Sequence, residues 1–412
     1  MPTSVQSEIS DLPIAEAAHE VIELERSVPL DGEFEIALGD AFGPDLRGRF
    51  DRQEATAAIR LYRLGDVTLD ASLMLLLRGR SRISETRYFV SDQEYNDTLI
   101  KPLPAQPLDP KQHYIIGSNR AWHDYYHWLV QALPAIDFGL RCGGQRRTML
   151  VVPPLQAWQE ESLALLGYEE IPKVTLEVSD TLLLPNAEFS DFLGERMPEM
   201  VARTAMSTFR RLSKAVPWTH AAPEEIYVAG AAHQAIENEA ELIDLLERQG
   251  VQTLSPGELS VAQLIAAFRA ARLVIGAHGK PMSNVVFCQG GSFVYELLPR
   301  HQLGVTVNRL AQTATVNYWA DIFSGEGGGP WRVDLDTVAA RLDAIRDRMA
   351  MTPRRESAMD FLKRTQAAAP EDGAPPRRAR PTHDVAVEEL QSAEQAPPRR
   401  RGLARLFSRG SG

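Results

Sequence analysis

Histidine, carboxylate and aromatic side chains crowd the segment WHDYYHW at positions 122–128. On a helix, His123 and His127 would lie one turn apart on one face, with Asp124 nearly a turn before His127. A histidine paired with a carboxylate can accept a proton near neutral pH. The segment therefore predicts a general base toward a substrate hydroxyl, with His127 or Asp124 as the residue that takes the proton.

Three other interpretations of this segment stay open. The rings of Tyr126 and Trp128 could stack on a sugar ring or a nucleobase. Two histidines at this spacing with an aspartate could bind a metal, but the glutamate of an HExxH motif and a third ligand are missing, so we predict no metal site. The segment could also be an aromatic core helix in which a backbone carbonyl satisfies His127.

A second candidate site is the loop HGKPMSN at positions 278–284, which follows the apolar run RLVIGA. Open α/β sheets bind ligands at the carboxyl ends of such strands. Pro281 suits the first turn of a helix, whose free amides together with Lys280 and Ser283 could hold a phosphate or a diphosphate. His278 could donate a hydrogen bond to the same group. The alternative is a strand-to-helix turn that binds nothing.

Glu296 stands at the end of the next apolar run, SFVYEL. An acidic side chain at this place in nucleotide-binding folds commonly accepts hydrogen bonds from ribose hydroxyls. A glutamate exposed at a strand end is the competing interpretation.

The elements around these residues follow the alternation of a doubly wound α/β fold. Ser-x-x-Gln and Asn-x-x-Glu capping boxes at Ser260 and Asn238 predict the starts of two helices between strands. Pro134 is expected to interrupt or end the helix after the aromatic segment. The predicted strands are EIYVAG, VQTL, RLVIGA and SFVYEL downstream, and TMLVVPP, KVTLEV and TLLLP upstream; further helices are predicted over 161–166 and 197–214.

This pattern predicts an α/β protein with two Rossmann-like domains facing a cleft and a disordered C-terminal tail. We expect four regions along the chain. They are an irregular or β-rich segment on the first domain (1–80), an acceptor-side α/β domain (81–215), a C-terminal Rossmann-like nucleotide-sugar domain (216–352) and a disordered basic tail rich in proline and arginine (353–412).

Charge separates the tail from the rest of the chain. The 412 residues carry a net charge of −11, yet the 12 basic and 8 acidic residues from Pro353 onward carry +4, and residues 1–352 carry −15. An acidic body argues against nucleic-acid binding. The tail ends in RRRGLARLFSRG, which could be a short amphipathic helix on an anionic membrane surface, or a solvated tail without such a role.

Several classes of protein are excluded by simple counts. No apolar run approaches the roughly 18–20 residues of a membrane span, and the N-terminus lacks the basic start and apolar stretch of a secretory signal. Two cysteines, Cys142 and Cys288, provide neither a disulfide framework nor a zinc site of the cysteine type. We therefore expect a cytoplasmic protein, peripheral at the inner face of the membrane if the tail binds there.

Three blocks in order resemble glycosyltransferase family 61, a group that includes capsular-polysaccharide proteins. They are DYYHWLVQALP, the span IENEAELIDLLERQGVQTLSPGELSVAQLIAAFRAARLVIGAHG, and SNVVFCQGGSFVYEL. The resemblance implies a GT-B fold and an inverting hexosyl- or pentosyltransferase of polysaccharide biosynthesis. It further implies a nucleotide-sugar co-substrate bound by the C-terminal half, a glycan or lipid-linked acceptor, and no obligatory metal or cofactor.

The resemblance also suggests site residues. The donor-side residues would be His278, Gly279, Lys280, Ser283, Asn284 and Glu296, and the block across the cleft would contribute Tyr126, His127 and Trp128. The chain departs from the family pattern in several places. Asp124 stands where the family usually has Asn, Gln131 where an acidic residue is common, and Ala231 and Ala232 where arginines suited to a diphosphate usually follow the strand. A catalytically degenerate protein that binds a sugar or a partner is therefore the second hypothesis.

Overall fold

The computed structural model describes residues 10–97, 105–143, 147–218, 222–230, 236–324 and 329–352. Strands and helices follow one another through most of these residues. The strands are β1 (Ser10–Leu12), β2 (Ala18–Glu25), β3 (Ile36–Leu38), β4 (Ile59–Asp70), β5 (Leu75–Arg78), β6 (Ser81–Ile83), β7 (Gln106–Pro107), β8 (His113–Ile116), β9 (Thr148–Val152), β10 (Lys173–Thr175), β11 (Thr181–Ser190), β12 (Glu225–Val228), β13 (Gln252–Leu254), β14 (Leu273–Ala277), β15 (Phe293–Pro299) and β16 (Asn317–Phe323). The α-helices are α1 (Ile14–Ala17), α2 (Pro44–Phe50), α3 (Asp92–Asp97), α4 (Tyr125–His127), α5 (Leu133–Cys142), α6 (Ala157–Leu165), α7 (Ala205–Ala215), α8 (Glu239–Arg248), α9 (Val261–Ala270), α10 (Thr306–Ala314) and α11 (Leu335–Met351).

The downstream strands form a parallel sheet with the order β13-β12-β14-β15-β16-β3, six strands in the described residues. Every residue of β14, β15 and β16 is buried, as expected for parallel strands with both faces covered. The edge strand β3 comes from the N-terminal region, where Ile36 pairs with Tyr318. The expectation that residues 1–80 lie on the first half is therefore wrong for β3, because this short strand completes the far edge of the second sheet.

The upstream strands form a mixed sheet of ten strands within the described residues. Its centre is the long antiparallel pair β4 and β11, while β8, β9 and β10 run parallel beside β11. The α/β class predicted from the sequence is confirmed, and the second sheet has the predicted parallel order. The division into two Rossmann-like domains with a boundary near residue 215 stays a prediction, and the predicted tail from residue 353 lies outside the described residues.

Two predicted helix starts differ in how they are capped. Ser260 and Gln263 form the predicted capping box at the start of α9. At α8, however, Asn238 makes no capping bond. Its side chain instead exchanges two hydrogen bonds with the backbone of Val333, at 2.9 and 3.0 Å. A distant segment thus takes the donor and acceptor that the local pattern assigned to the helix.

The helix after the aromatic segment continues through Pro134, contrary to the prediction of an interruption. A π-helical turn over Trp128–Ala132 connects α4 to α5, and Pro134 lies in the first turn of α5. Proline costs little at such a position, since its missing N–H is not needed there. π-turns of this kind occur frequently at functional sites.

The predicted helix over 197–214 was placed too early. A short 3₁₀ turn covers Met197–Glu199, and the α-helix begins only at Ala205. Between them the backbone of Val201 accepts a hydrogen bond from the amide of Ala57 and donates to the side chain of Gln53. These bonds to the N-terminal region hold the segment extended.

One of the hydrophobic clusters extends from the first sheet to the second. Phe209 of α7 and Phe287 of the downstream half meet edge to face with ring centroids 6.0 Å apart. The two predicted motif blocks are therefore carried by elements that share one core, which holds their relative position. None of the described helices is long and apolar enough to span a bilayer.

Candidate active site

The two motif blocks are joined by a pair of side-chain contacts. The hydroxyl of Tyr125 donates a 2.7 Å hydrogen bond to Oδ1 of Asn284, and Nζ of Lys280 lies 2.6 Å from Oδ2 of Asp124. Residues that the sequence placed in separate halves thus form one constellation. The Tyr125 hydroxyl is buried, and burial raises its pKa well above the ordinary value, so it stays a neutral donor.

Asp124 acts first of all as a helix cap. Its Oδ1 accepts from the amides of Tyr126 and His127 at 2.9 and 3.4 Å, while Oδ2 faces Lys280. The helix therefore begins after Asp124, and the exposed His123 lies outside it. The expectation that both histidines share one helical face is wrong for this reason. With both oxygens engaged, Asp124 is less suited to take a proton than the histidine that it caps.

The tautomer of His127 follows from a chain of buried amides. The amide of Ala121 donates to Oδ1 of Asn119, so Nδ2 of Asn119 is the atom that donates to Oε1 of Gln131 at 3.1 Å. Nε2 of Gln131 donates to the carbonyl of Gly194. Oε1 of Gln131 is thus an acceptor, and Nδ1 of His127, 2.7 Å away, must donate its proton to it. The other ring nitrogen, Nε2, carries the lone pair.

The surroundings of His127 keep the ring neutral. Burial lowers its pKa below the ordinary value, against the opposing effect of the hydrogen bond to Gln131. The hydroxyl of Tyr88 lies 3.0 Å from Nδ1 and adds a second contact on the protonated side. A neutral imidazole with a fixed tautomer and an unprotonated Nε2 has the properties of a general base.

His278 is held by a buried carboxylate. Its Nδ1 lies 2.6 Å from Oε1 of Glu296, whose second oxygen accepts from the hydroxyl of Tyr318. Burial by itself would lower the pKa of His278, but the charge of Glu296 and the hydrogen bond to it raise the pKa above the ordinary value. Nε2, which would carry the second proton of the charged ring, faces Gly304, and the role of His278 toward an anion stays a prediction.

Glu296 itself is fully buried, with both oxygens engaged. It stands behind His278, not at an open strand end. The prediction that Glu296 ends its strand is wrong, because β15 continues to Pro299 and Glu296 lies in its middle, where its side chain contacts a histidine. Its assignment to donor binding stays a prediction. Glu296 would affect a ligand by orienting and charging the His278 ring.

The loop after β14 forms a 3₁₀ helix over Lys280–Phe287, not an α-helix. Pro281 has no N–H, and the amide of Met282 is bonded to the carbonyl of Gly279, which leaves few free amides for an anion. The hydroxyl of Ser283 donates to the carbonyl of Lys280, and Ser283 is buried. The predicted roles of Gly279, Ser283 and Asn284 in donor binding stay predictions, and here the Ser283 and Asn284 side chains bond within the turn or to Tyr125.

Gly276 is required by the packing of the 3₁₀ helix on β14. A Cβ atom at this position would lie 2.5 Å from Sδ of Met282. The glycine therefore lets the 3₁₀ helix settle against β14.

A cavity of about 400 Å³ opens where the blocks meet. Its lining combines two aromatic rings, apolar side chains, glycine backbone and the Lys280 ammonium. The residues are Tyr125, Trp158, Gly230, Pro256, Gly257, Leu259, Val261, Leu264, Lys280, Pro281 and Asn284. Its wall is held by Glu161 of α6, whose carboxylate accepts from the first two amides of α9 at 3.0 and 2.9 Å. An aromatic and apolar cavity with one cation suits a ligand that has both a flat ring and a negative charge.

The predicted stacking residues are not open to a ligand in equal measure. Trp128 is buried in the core, and its Nε1 donates to Oγ of Ser162 at 2.8 Å, so the prediction that its ring stacks on a sugar is wrong. Tyr126 is partly buried, and its hydroxyl donates to the carbonyl of Pro198. Trp158, which sequence reasoning did not select, lines the cavity instead. Its only signal was a tryptophan three residues before the helix predicted over 161–166.

The scan against family models matches residues 125–295 to Glycosyltransferase 61. This match supports membership of glycosyltransferase family 61. No curated protein shows a significant match to it.

The family 61 segment contains every residue that lines the cavity, together with His127 and His278. It begins directly after Asp124 and ends directly before Glu296. The general activity that belongs to the family is transfer of a glycosyl group. The matched blocks thus coincide with the place where the fold brings the candidate residues together. In the described residues, no three His, Cys, Asp or Glu side chains cluster as metal ligands.

Proposed function

We propose that this family 61 member transfers a sugar from a nucleotide-sugar donor to a hydroxyl of a glycan or glycolipid, with inversion, in polysaccharide biosynthesis. The observation that carries the proposal is the cavity between the two motif blocks. The short helix that supplies Tyr125 to the cavity lining also carries His127, whose tautomer and lowered pKa suit a base, and the lining includes a lysine that can face a diphosphate.

The donor side of the proposed site is the cavity. Its apolar wall and the rings of Tyr125 and Trp158 offer contact surface for a nucleobase. Lys280 offers positive charge to the diphosphate, and we propose that His278 donates a hydrogen bond to it, with Glu296 holding the imidazole. Among the described residues, Lys280 supplies the one ammonium of this lining, and we propose that backbone amides and His278 stabilise much of the anion's charge.

The proposed reaction is a single displacement. Nε2 of His127 takes the proton of the acceptor hydroxyl while its oxygen forms a bond to the anomeric carbon. The bond from that carbon to the diphosphate oxygen breaks at the same time, and the nucleoside diphosphate leaves with the electron pair. The proton on His127 then passes to solvent. Attack from the face opposite the leaving group inverts the anomeric centre, and we write the step without a metal ion, as the family resemblance implies.

The acceptor and the location are further parts of the proposal. The basic residues near the C-terminus support an acceptor at an anionic membrane surface, such as a lipid-linked glycan at the inner face. If the tail has this role, a chain ending at Thr352 would no longer pellet with anionic vesicles but would still bind the donor. Equal pelleting of both chains would contradict it.

A second candidate function is supported by the charges of the site. Lys280, the cation that lines the cavity, is paired with Asp124. Alanines stand at positions 231 and 232, where the family usually has arginines suited to a diphosphate. Loss of guanidinium contacts to a diphosphate could cost several kcal/mol. A family member with this constellation could bind a sugar or a partner without turnover.

The two candidates are separated by donor binding and turnover. The purified protein would be tested by thermal shift against UDP-, GDP- and CMP-sugars, and then for donor hydrolysis and transfer. We expect a shift with at least one donor, weakened by His278→Ala, and a His127→Ala variant that binds the donor but turns over far more slowly. No shift with any donor up to millimolar concentration would overturn the catalytic proposal. Equal loss of binding and turnover in His127→Ala would remove its role as base.

A further inference from the structure

Phe89 combines two features that are rare for a large apolar residue. Its ring is 62% exposed, and its backbone has a φ of 51°, in the left-handed region. Bulky side chains seldom adopt this conformation, and when they do the surroundings impose it. The preceding Tyr88, in contrast, is buried.

The surroundings of Phe89 do hold this loop in place. Nη1 of Arg120 donates to the carbonyl of Phe89 at 2.8 Å, and the same guanidinium pairs with both carboxylate oxygens of Glu94 at 2.7 and 3.0 Å. On the other side, Nε of Arg87 donates to the carbonyl of Val90 at 2.9 Å. Two arginines thus fix the turn that sends the Phe89 ring outward.

The outward ring stands beside the proposed base. The centroids of the Phe89 and His127 rings are 5.5 Å apart, with the planes at 89°. Tyr88 contacts the same imidazole from the protein side, where its hydroxyl lies 3.0 Å from Nδ1. The left-handed turn therefore places the Tyr88 ring on the buried side of His127 and the Phe89 ring on its solvent side.

We propose that Phe89 binds the acceptor, with the C–H face of an acceptor sugar packed on the exposed ring so that a hydroxyl of that sugar reaches His127. The proposal rests on the proposed function, since it assigns the acceptor side of that site. An aromatic face offers apolar contact area to a sugar ring at a small cost in side-chain entropy. Phe89 does not line the cavity assigned to the donor, so it is free for the second substrate.

The test separates the ring from the backbone that carries it. Phe89→Asn removes the ring but keeps a residue that tolerates the left-handed region, and Phe89→Trp keeps an aromatic face. Val178→Asn is the matched control, because it removes another exposed apolar side chain, in the turn between β10 and β11. Methyl glycosides of glucose, galactose, mannose and xylose serve as probes, and saturation-transfer NMR measures their binding to the full chain.

We expect at least one glycoside to receive saturation at its ring C–H protons in the wild type, in Phe89→Trp and in the Val178→Asn control. Phe89→Asn should bind it roughly two- to tenfold more weakly, in line with the loss of an aromatic contact. Thermal shifts with nucleotide-sugars should be unchanged in all three variants.

Three results would overturn the proposal. They are unchanged glycoside binding in Phe89→Asn, no glycoside signal in the wild type, and loss of nucleotide-sugar shifts together with glycoside binding in Phe89→Asn. Failure of the proposed function would give a different result: the wild type would show no thermal shift with any nucleotide-sugar. Glycoside binding is measured separately, so the two failures can be told apart. The sugar signal therefore tests Phe89 without requiring turnover.

Discussion

Lys280 and Asp124 form an ion pair of 2.6 Å between the two blocks that define the site. Asp124 caps the helix that carries His127, and Lys280 begins the 3₁₀ helix after β14. The Lys280 ammonium, which lines the cavity, is therefore already paired. If a diphosphate binds to Lys280 as we propose, it must compete with a carboxylate for the ammonium, and donor binding would then be coupled to the start of the helix that carries His127.

The first prediction concerns Asp124→Asn. Asparagine caps a helix about as well as aspartate, so the helix should keep its start while Lys280 loses its partner. We expect UDP, GDP or CDP, whichever binds, to bind about two- to fivefold more tightly, because partly exposed pairs are worth roughly 0.2–1 kcal/mol. Calorimetric titration measures this, and Lys280→Met should weaken the same binding. If the asparagine variant binds the donor but cannot turn it over, the base is Asp124 and not His127.

The second prediction concerns the pH dependence of turnover. The pKa of His127 lies below its ordinary value of about 6.5, so kcat/KM should persist to a pH below that value before the base is protonated. Gln131→Glu places a carboxylate against Nδ1, which stabilises the imidazolium and should move the acid limb upward by roughly one unit or more. pH–rate profiles of both proteins provide the measurement.

A control for this pH shift is Gln131→Met, which removes the acceptor that fixes the tautomer. It should lower kcat without weakening donor binding. An acid limb that stays in place in the glutamate variant would argue that another group titrates.

The third prediction concerns stability and the His278–Glu296 pair. The pKa of His278 is raised in the folded state, so protonation of His278 contributes to the free energy of unfolding. This contribution is complete below the pKa of the unfolded state, about 6.5, and is lost as the pH rises through the pKa of the folded state. Glu296→Gln should therefore destabilise the protein more at low pH than at high pH, by about 1.4 kcal/mol for each unit of raised pKa.

Urea unfolding of both proteins from about pH 5.5 to about pH 8.5 tests this linkage. The pKa of His127 is lowered in the folded state, so its contribution to the free energy of unfolding is lost as the pH falls. His127 is present in both proteins, and its contribution therefore cancels when the two free energies of unfolding are subtracted. A difference in stability that does not change with pH would mean that the pair is not charged.

The fourth prediction uses a glycine that abuts the site. A Cβ atom at Gly304 would lie 2.6 Å from Nε2 of His278. Gly304→Ala should therefore push the imidazole from its place, lower the free energy of unfolding by roughly 1–3 kcal/mol and weaken donor binding. Gly48→Ala is the matched control, because Gly48 lies inside α2 with nothing within 4 Å of the added atom.

The control should stabilise the protein by roughly 0.5–1 kcal/mol, since alanine favours a helix interior over glycine. Denaturant unfolding measures the change in the free energy of unfolding, and thermal shift with nucleotide-sugars measures the change in donor binding. Full donor binding in Gly304→Ala would show that the ring position of His278 does not matter for the donor.

Sequence reasoning worked best where the pattern is local or strongly apolar. Continuous apolar runs predicted β14 and β15, and the box formed by Ser260 and Gln263 is present as predicted. It worked less well where a polar side chain has a choice of partners. Asn238 looked like a helix cap but bonds to Val333, and Trp128 looked like a stacking ring but is part of the core.

The order of apolar runs, glycines and aromatic blocks by itself determined the α/β class, the parallel order of the downstream strands and the likeness to family 61. These properties depend on periodicity and short spacings, which the chain carries along its length. Only the tertiary structure decided that Asp124 pairs with Lys280, that Gln131 sets the tautomer of His127, and that Phe89 stands outside while Trp128 is inside. Each of these depends on which distant groups packing brings within about 3 Å, and hydrogen bonds and ion pairs of that length are not encoded in any local pattern.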